Sequence, residues 1–220
     1  MGRVKDEKLF QMIHDYIRVY LPNQRCSSRH TIRAYRMALD QLLEYTAAQK
    51  KLAISEITFD MLNSEMVSNY LDWITSEKGC CASTRNHRLA CIRSFFRYAS
   101  TMNPENIIRQ ADIDKIPKQK ENTFSGVDYM SEEAVQAILK QPDTKTKKGV
   151  RDQFFMILMY DSGARIQEML DLRVCDIRLG NTPTATFMGK GGKIRSVPLM
   201  PETIEHFHNY MKIYHADENM

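Results

Sequence analysis

Apolar residues recur three and four positions apart along most of the first 105 residues. This spacing is clearest in four stretches, residues 5–20, 28–48, 57–76 and 83–99. It predicts amphipathic helices that bury one face in a common bundle. We expect Pro22 to end the first helix, because proline lacks the amide hydrogen that a following turn needs. Ser83 or Thr84 is expected to cap the fourth helix.

The second half of the chain has a different pattern. Pro104, Pro117, a lysine-rich run and the pair Ser125-Gly126 interrupt the periodicity between Asn103 and Asp128, and residues 106–127 are predicted as an exposed linker. Further on, residues 185–188 and 194–199 read as two strands, and the Gly-Lys-Gly-Gly-Lys run between them reads as a hairpin turn. We therefore predict a mainly α protein: a helical domain over 1–105, a linker, and a mixed α+β domain over 128–220 with a small antiparallel sheet.

Composition limits the function classes. The 220 residues suffice for two small domains, and 43% of them are hydrophobic. No apolar run reaches the roughly 18 residues that span a bilayer, and the first residues lack a signal-peptide core, so we expect a cytoplasmic protein without a membrane partner. The five cysteines are odd in number and include the adjacent pair Cys80-Cys81, which is not a metal-ligand spacing. We expect reduced thiols and no metal site.

Charge is distributed unevenly between the two halves. Residues 1–120 hold 19 Lys and Arg against 13 Asp and Glu, whereas residues 121–220 hold 12 against 14. Any contact with a polyanion is therefore expected to begin in the first half. Arg29, Arg33 and Arg36 form a stripe at helical spacing with no acid before Asp40. We interpret the stripe as a phosphate-binding face, although an ordinary solvated face is the alternative.

A second basic group begins the helix predicted over residues 83–99. Its first turns should project Arg85, Asn86 and Arg88. By helical angle, Arg85 and Arg88 lie close to the apolar face and should protrude just beyond the end of the core, where a helix meets a partner end-on. We expect them to contact nucleic acid. The alternative is that they form hydrogen bonds with loops of their own bundle.

The stretch from Asp161 to Leu199 carries the candidate chemistry. Gly163 interrupts a helical pattern just before Arg165, which places that arginine in the first turn of a new helix. Lys190 and Lys193 lie on the hairpin turn. An arginine and a turn lysine, without a Cys/His set or a GxxxxGK[ST] motif, favour direct contact with a phosphate over metal or nucleotide binding.

These motifs, in this order, resemble the tyrosine recombinase (phage integrase) family. They are Gly163-Ala164-Arg165-Ile166-Gln167-Glu168, then Asp176-Ile177, then Gly189-Lys190-Gly191. The resemblance implies that Arg165 is the first catalytic arginine, that Glu168 is its acidic neighbour and that Lys190 is the hairpin lysine. It also implies strand transfer through a 3′-phosphotyrosyl link, with no cofactor.

The first half resembles the same family. Its Ser-x-x-Thr-x-x-x-Tyr, Ser-Thr-Arg-Asn-x-Arg-Leu and Phe-Phe-Arg-Tyr segments are similar to those of the SAM-like core-binding domain, a small four-helix bundle. This resemblance implies double-stranded DNA as the partner and a homo-oligomer on DNA in the full-length family. It implies no small-molecule substrate.

The family's chemistry also uses a His-x-x-Arg box and a tyrosine nucleophile that follow the hairpin. No His-x-x-Arg sequence follows Lys190, and we expect Tyr210 and Tyr214 to be structural. We therefore expect an N-terminal portion of a recombinase, inactive in cleavage by itself and with exposed apolar surface. A DNA-binding module that occupies recombination sites without cleaving them is the alternative function, and a helical protein–protein adaptor is a third.

Overall fold

The protein was analysed as a computed structural model, which describes residues 4–24, 28–121 and 129–216. The chain forms two compact units, Met1–Ser125 and Gly126–Met220. Each unit has its own hydrophobic core. The described residues are mainly helical, with one three-stranded sheet. The predicted fold class is confirmed.

Unit 1 is entirely helical in its described part. Its longer elements are α1 (Glu7–Asp15), a π-helical segment (Tyr16–Gln24), α2 (Arg29–Lys50), α3 (Ser64–Ser76), α4 (Ala82–Met102) and α5 (Ile107–Asp114). Short 3-10 turns at Ile54–Glu56, Phe59–Met61 and Pro104–Asn106 connect them.

Side chains cap three of these helices as the sequence rules require. The side chains of Asp6, Ser28 and Asn63 accept backbone N–H groups at the starts of α1, α2 and α3. The prediction for α4 was wrong, since its N-cap is Cys81 and both Ser83 and Thr84 lie inside the first turn.

The first helix does not stop at Pro22. The chain continues through that proline as the wide π-helical segment. Tyr16, Ile17 and Leu21 from this segment are buried in the core. Burying three large side chains stabilises the segment by several kcal/mol, which outweighs the hydrogen bond that proline cannot donate.

The core of unit 1 surrounds α4. Its predicted apolar stripe, Leu89, Ile92, Phe96 and Ala99, is fully buried. Phe95 and Phe96 meet at 5.7 Å between ring centroids in an edge-to-face arrangement, and Phe59 approaches Phe96 in the same way. The predicted helical bundle is thus closed by aromatic packing along α4.

The segment predicted as an exposed linker is folded over its first part. Helix α5 packs on α4, and Ile113 is completely buried. Ile116, just after α5, is also buried. The two isoleucines bury enough apolar surface to hold in place a segment whose proline and charged residues are typical of a linker.

Arginines of α4 then hold the chain that leaves α5. Arg93 donates hydrogen bonds to the carbonyl oxygens of Ile113, Asp114 and Ile116, the second at 2.8 Å. Arg85 donates to the carbonyl oxygen of Pro117 at 3.2 Å. These bonds supply donors to backbone carbonyls at the end of α5 and just beyond it, and the Ile113 carbonyl oxygen also accepts the Ile116 N–H at 3.3 Å.

Asn86 also binds the segment that follows α5. Its Nδ2 donates to the carbonyl oxygen of Gln119 at 2.8 Å, while its Oδ1 accepts the Gln119 backbone N–H at 2.9 Å. The same Nδ2 donates to Glu121 Oε1 at 2.8 Å. We call three residues of α4 the α4 clasp: Arg85, Asn86 and Arg93. Their side chains form hydrogen bonds with backbone groups of residues 113–119.

Unit 2 packs helices around a small sheet. Its elements are α6 (Glu132–Leu139), α7 (Lys147–Ser162), α8 (Ile166–Leu170), β1 (Ile177–Arg178), β2 (Thr184–Met188), β3 (Ile194–Pro198) and α9 (Pro201–Tyr214). The sheet is antiparallel in the order β1-β2-β3. Ala185 and Phe187 point into the core, as the alternation along β2 predicts.

Replacing Asn86 with alanine should release the segment that follows α5. The substitution removes both hydrogen bonds to Gln119, each worth about 1 kcal/mol, so opening should become about thirtyfold more frequent. Trypsin should then cut after Lys118 and Lys120 about thirtyfold faster, as followed by mass spectrometry. Arg36→Ala, on exposed α2 surface, is the control. Equal cleavage of Asn86→Ala and wild type would show that the clasp does not hold this segment.

Candidate functional site

The interruption at Gly163 shapes the chain around Arg165. Gly163 adopts a left-handed conformation with φ of 58° and ψ of 26°, and its N–H donates to the Met159 carbonyl oxygen at 3.0 Å. This conformation suits glycine and ends α7. Two residues later, Arg165 is the N-cap of the five-residue helix α8. The predicted helix break and restart are confirmed, with Arg165 at the cap position.

Glu168 is the centre of the site. Its Oε2 accepts the Arg165 backbone N–H at 3.0 Å, and its Oε1 accepts the Arg165 Nη1 at 2.9 Å. Oε2 also accepts Nη1 of Arg195 at 2.9 Å. The carboxylate is buried, with 5% of its side chain exposed. Arg165, Glu168 and Arg195 are called the Glu168 hub.

These bonds lower the pKa of Glu168 from its ordinary 4.5 to about 2. The backbone N–H of Arg165 contributes most, burial acts in the opposite direction, and the two guanidinium groups lower the pKa further. The carboxylate is therefore ionised over the whole neutral and mildly acidic range.

Two guanidinium groups share one carboxylate, so the hub carries a surplus positive charge. Arg165 is the outer of the two arginines, with 74% of its side chain exposed, against 37% for Arg195. Its Nη1 is held by Glu168, and the rest of the fork faces solvent. A guanidinium anchored on one edge and exposed on the other is suited to bidentate contact with a phosphate.

Arg195 was missed by the sequence analysis. It faces Phe187 across the β2–β3 ladder, and its guanidinium carbon lies 5.3 Å from the centroid of that ring. In β3, Arg195 and Val197 are less exposed than their neighbours. The alternation of the strand, which puts Arg195 on the same face as Val197, is the signal that could have found it.

The hairpin that carries the candidate lysines packs on the hub. The Gly189 N–H donates to the Lys193 carbonyl oxygen at 2.7 Å and closes the turn. A Cβ at Gly189 would lie 3.2 Å from Glu168 Oε1, closer than a side chain tolerates without movement. The absence of a Cβ at Gly189 therefore leaves room for the carboxylate beside the start of the hairpin.

Lys190 and Lys193 lie at opposite ends of the hairpin turn. Lys190 follows Gly189 in the turn, but its side chain lies outside the described part of the structure, so its predicted role stays a prediction. Lys193 is exposed at the other end of the turn.

In unit 1, the predicted arginine stripe lies on the surface. Arg29, Arg33 and Arg36 are exposed along the first half of α2. Arg18, from the π-helical segment, joins them at an open cavity of about 350 Å³ with an apolar floor that includes Ile32. Sequence reasoning missed Arg18, because it lies on another helix and only the fold brings it to the stripe.

The second basic group is placed differently from the expectation. Arg85 and Asn86 are buried and belong to the α4 clasp, so the prediction that they project beyond the core was wrong. The alternative, hydrogen bonds with the bundle's own chain, describes their contacts. Arg88 is partly buried, with Nη1 3.5 Å from the carbonyl oxygen of Ala34. Contact of these three residues with DNA stays a prediction.

Within the described ranges, no group of three or more His, Cys, Asp or Glu side chains is arranged to hold a metal ion. Cys80, Cys81, Cys91 and Cys175 are unpaired thiols, and Cys26 lies outside the described residues. No helix in the same ranges is both long enough and apolar enough to cross a membrane.

Two family descriptions match the chain. "Phage integrase, N-terminal SAM-like domain" matches residues 13–102, and "Phage integrase family" matches residues 128–219. The two matches correspond to the two units and together take up most of the chain.

Relatives match over most of this chain and about three fifths of their own. Protein y4rC of Sinorhizobium fredii, named as an integrase/recombinase, is 30% identical over 94% of this chain and 62% of its own length. Tyrosine recombinase XerC of Myxococcus xanthus is 32% identical over 88% of this chain and 61% of its own length. The chain thus spans less than two thirds of the length of these relatives.

Solved structures share the fold. The XerH site-specific recombinase bound to palindromic difH substrate aligns with a TM-score of 0.64 at 18% identity, covering 97% of this chain and 64% of that one. The Tn1549 transposon integrase in complex with transposon right end DNA aligns with a TM-score of 0.56 at 15% identity, covering 89% and 64%. With both units matched by sequence and by fold, the chain belongs to the phage integrase family, the tyrosine recombinases.

Proposed function

We propose that the chain acts in site-specific DNA recombination or integration, with unit 1 binding duplex DNA and unit 2 contributing to the phosphodiester site. The observation that carries this proposal is the Glu168 hub, which holds an exposed arginine fork beside the hairpin of Lys190. The names of the relatives and the DNA-bound structural neighbours support the choice of partner.

Arg165 is assigned the contact with the scissile phosphate. Its Nη1 is occupied by Glu168, which fixes the plane of the guanidinium before any ligand arrives. The exposed edge can then donate to two non-bridging oxygens and stabilise the charge that develops in a pentacoordinate transition state. Glu168 orients this arginine and keeps it close to the start of the hairpin.

Lys190 is assigned the proton donor for the departing 5′-oxygen, because its turn lies directly beside the hub. Lys193, on the same turn, is assigned a DNA-backbone contact. The attacking tyrosine of the family is not assigned. Tyr210 stacks on Phe154 at 5.2 Å and on Tyr214 at 5.0 Å, which favours a structural role for both tyrosines.

Unit 1 supplies most of the DNA affinity in this proposal. Arg18, Arg29, Arg33 and Arg36 form one exposed basic face. Of these four, only Arg36 forms an ion pair with another described residue; its Nε lies 3.4 Å from Asp40 in an exposed pair worth little in water. Such a face suits phosphate contacts, which position a protein on a duplex without reading its sequence.

A non-cleaving DNA-binding module is the second candidate, and it shares this basic face. Assembly into a homo-oligomer on DNA and a cytoplasmic location remain expectations that follow from the family and from a DNA partner. The two candidates predict the same binding and differ only in cleavage.

Duplex DNA affinity should fall steeply with salt. Each arginine that contacts a phosphate contributes about 0.9 to the slope of log affinity against log salt. The double variant Arg29→Ala/Arg33→Ala should therefore lower the magnitude of this slope by roughly 2. It should also weaken the binding of duplexes with unrelated sequences by similar factors. Fluorescence anisotropy between low and moderate salt measures both quantities.

The control for this measurement is Arg97→Ala, an exposed arginine of α4 outside the basic face. It should leave the slope of the wild-type chain nearly unchanged. A wild-type affinity that does not depend on salt would contradict the DNA-binding assignment of unit 1.

Cleavage should depend on Arg165 and Lys190 through different steps. In a chimera that appends the remaining C-terminal region of Myxococcus xanthus XerC, Arg165→Lys should lower the cleavage rate by about 10²–10³, because the fork is lost while the charge stays. Lys190→Ala should also slow cleavage of a suicide duplex, whose site is first selected from random sequences. A bridging 5′-sulfur, which leaves without a proton, should restore the rate.

Lys193→Ala is the matched control on the same turn and should tolerate alanine better. Rescue of Lys193→Ala but not of Lys190→Ala by the sulfur substrate would identify Lys193 as the proton donor. If the sulfur substrate restores the cleavage rate of neither variant, the two hairpin lysines act in DNA binding and not as proton donors.

A further inference from the structure

The hairpin and Arg165 are distant in sequence but meet at one carboxylate. Arg165 precedes Glu168 by three residues, whereas Arg195 comes 27 residues after Glu168 and reaches the same group from β3. Both Glu168 oxygens accept hydrogen bonds, and the loss of either arginine removes one charge-assisted bond from a buried carboxylate.

Arg195 is itself held in place. Its backbone pairs with Phe187 in the β2–β3 ladder, and its guanidinium lies over the buried ring of that residue. Stacking on an aromatic face restricts the side chain while leaving the hydrogen-bonding edge available. The sheet therefore aims Arg195 at Glu168.

A second contact joins the same two regions. Gly189 begins the turn and approaches Glu168 so closely that an added Cβ would lie 3.2 Å from Oε1. Arg195 lies two residues beyond Lys193, which closes that turn by accepting the Gly189 N–H. The two ends of the hairpin thus both lie at Glu168: at one end Gly189 leaves no room for a Cβ beside the carboxylate, and at the other end Arg195 forms an ion pair with it.

We propose that Arg195 is a positioning residue that fixes the Lys190 hairpin relative to Arg165, by tying β3 to the carboxylate that already orients Arg165. The inference rests on the proposed function, because the position of the hairpin matters for the chemistry only if Lys190 and Arg165 act on the same phosphate. It does not require Arg195 to touch the phosphate. Loss of Arg195 should loosen the hairpin while Arg165 stays bound to Glu168.

The test compares four forms of the 220-residue chain: wild type, Arg195→Met, Arg195→Lys and Arg178→Met. Methionine keeps the apolar stem over Phe187 but removes the ion pair. Arg178 is an exposed arginine of β1 in the same sheet and is the matched control. Amide hydrogen exchange is measured by NMR for residues 189–193, with α7 and α9 as internal references.

In Arg195→Met, exchange of the hairpin amides should accelerate by about tenfold or more relative to α7 and α9, because one charge-assisted hydrogen bond is lost. Arg195→Lys should be intermediate, and Arg178→Met should match wild type. Inorganic phosphate should still shift the Arg165 guanidinium signals in Arg195→Met, but the hairpin signals should respond much less than in wild type.

Two outcomes would overturn the proposal: unchanged hairpin exchange in Arg195→Met, or equal acceleration throughout unit 2, which would make Arg195 a general stabilising residue. If Arg195→Met does not fold, Arg195→Lys decides between the same outcomes. Salt-dependent binding of duplex DNA by the wild-type chain is recorded in parallel. Its absence would remove the proposed function while the exchange data still decide whether Arg195 fixes the hairpin.

Discussion

The arrangement of unit 2 depends on one buried carboxylate shared between two arginines. Burying a charge costs several kcal/mol unless it is paired and hydrogen-bonded, and Glu168 meets that condition with three donors from two chain regions. The consequence is geometric. Helix α8, the β2–β3 hairpin and the exposed fork of Arg165 are held at one point, which gives an otherwise mobile surface arginine a fixed plane.

The arginines of unit 1 show how burial separates structural from binding roles. Arg85 and Arg93 belong to the α4 clasp, where they satisfy backbone carbonyls of the segment that follows α5. Arg29 and Arg33 on α2 are exposed and remain available to a polyanion. Arginines on neighbouring helices therefore have different roles. An arginine whose donors are used by the chain's own carbonyl oxygens is structural, and an exposed arginine can bind a phosphate.

Patterns that depend on local periodicity were readable in the sequence. The buried stripe of α4, the two strands of the hairpin and the break at Gly163 follow from spacing and glycine chemistry. Contacts between distant residues were not readable. Arg195 meets Glu168 only after β3 pairs with β2, Arg85 is buried only because residues 113–119 return to α4, and Pro22 is accepted only because the core buries its neighbours.

Arg165 and Arg195 hold Glu168 in its ionised form. A ¹³C NMR titration of glutamate carboxyl carbons, with Glu168→Gln used for assignment, tests this arrangement most directly. We expect a midpoint near pH 2, so the stability that this carboxylate contributes is present above about pH 4.5 and is lost as the pH falls through about 2. A Glu168 midpoint near the ordinary 4.5 would show that the two arginines do not hold the carboxylate.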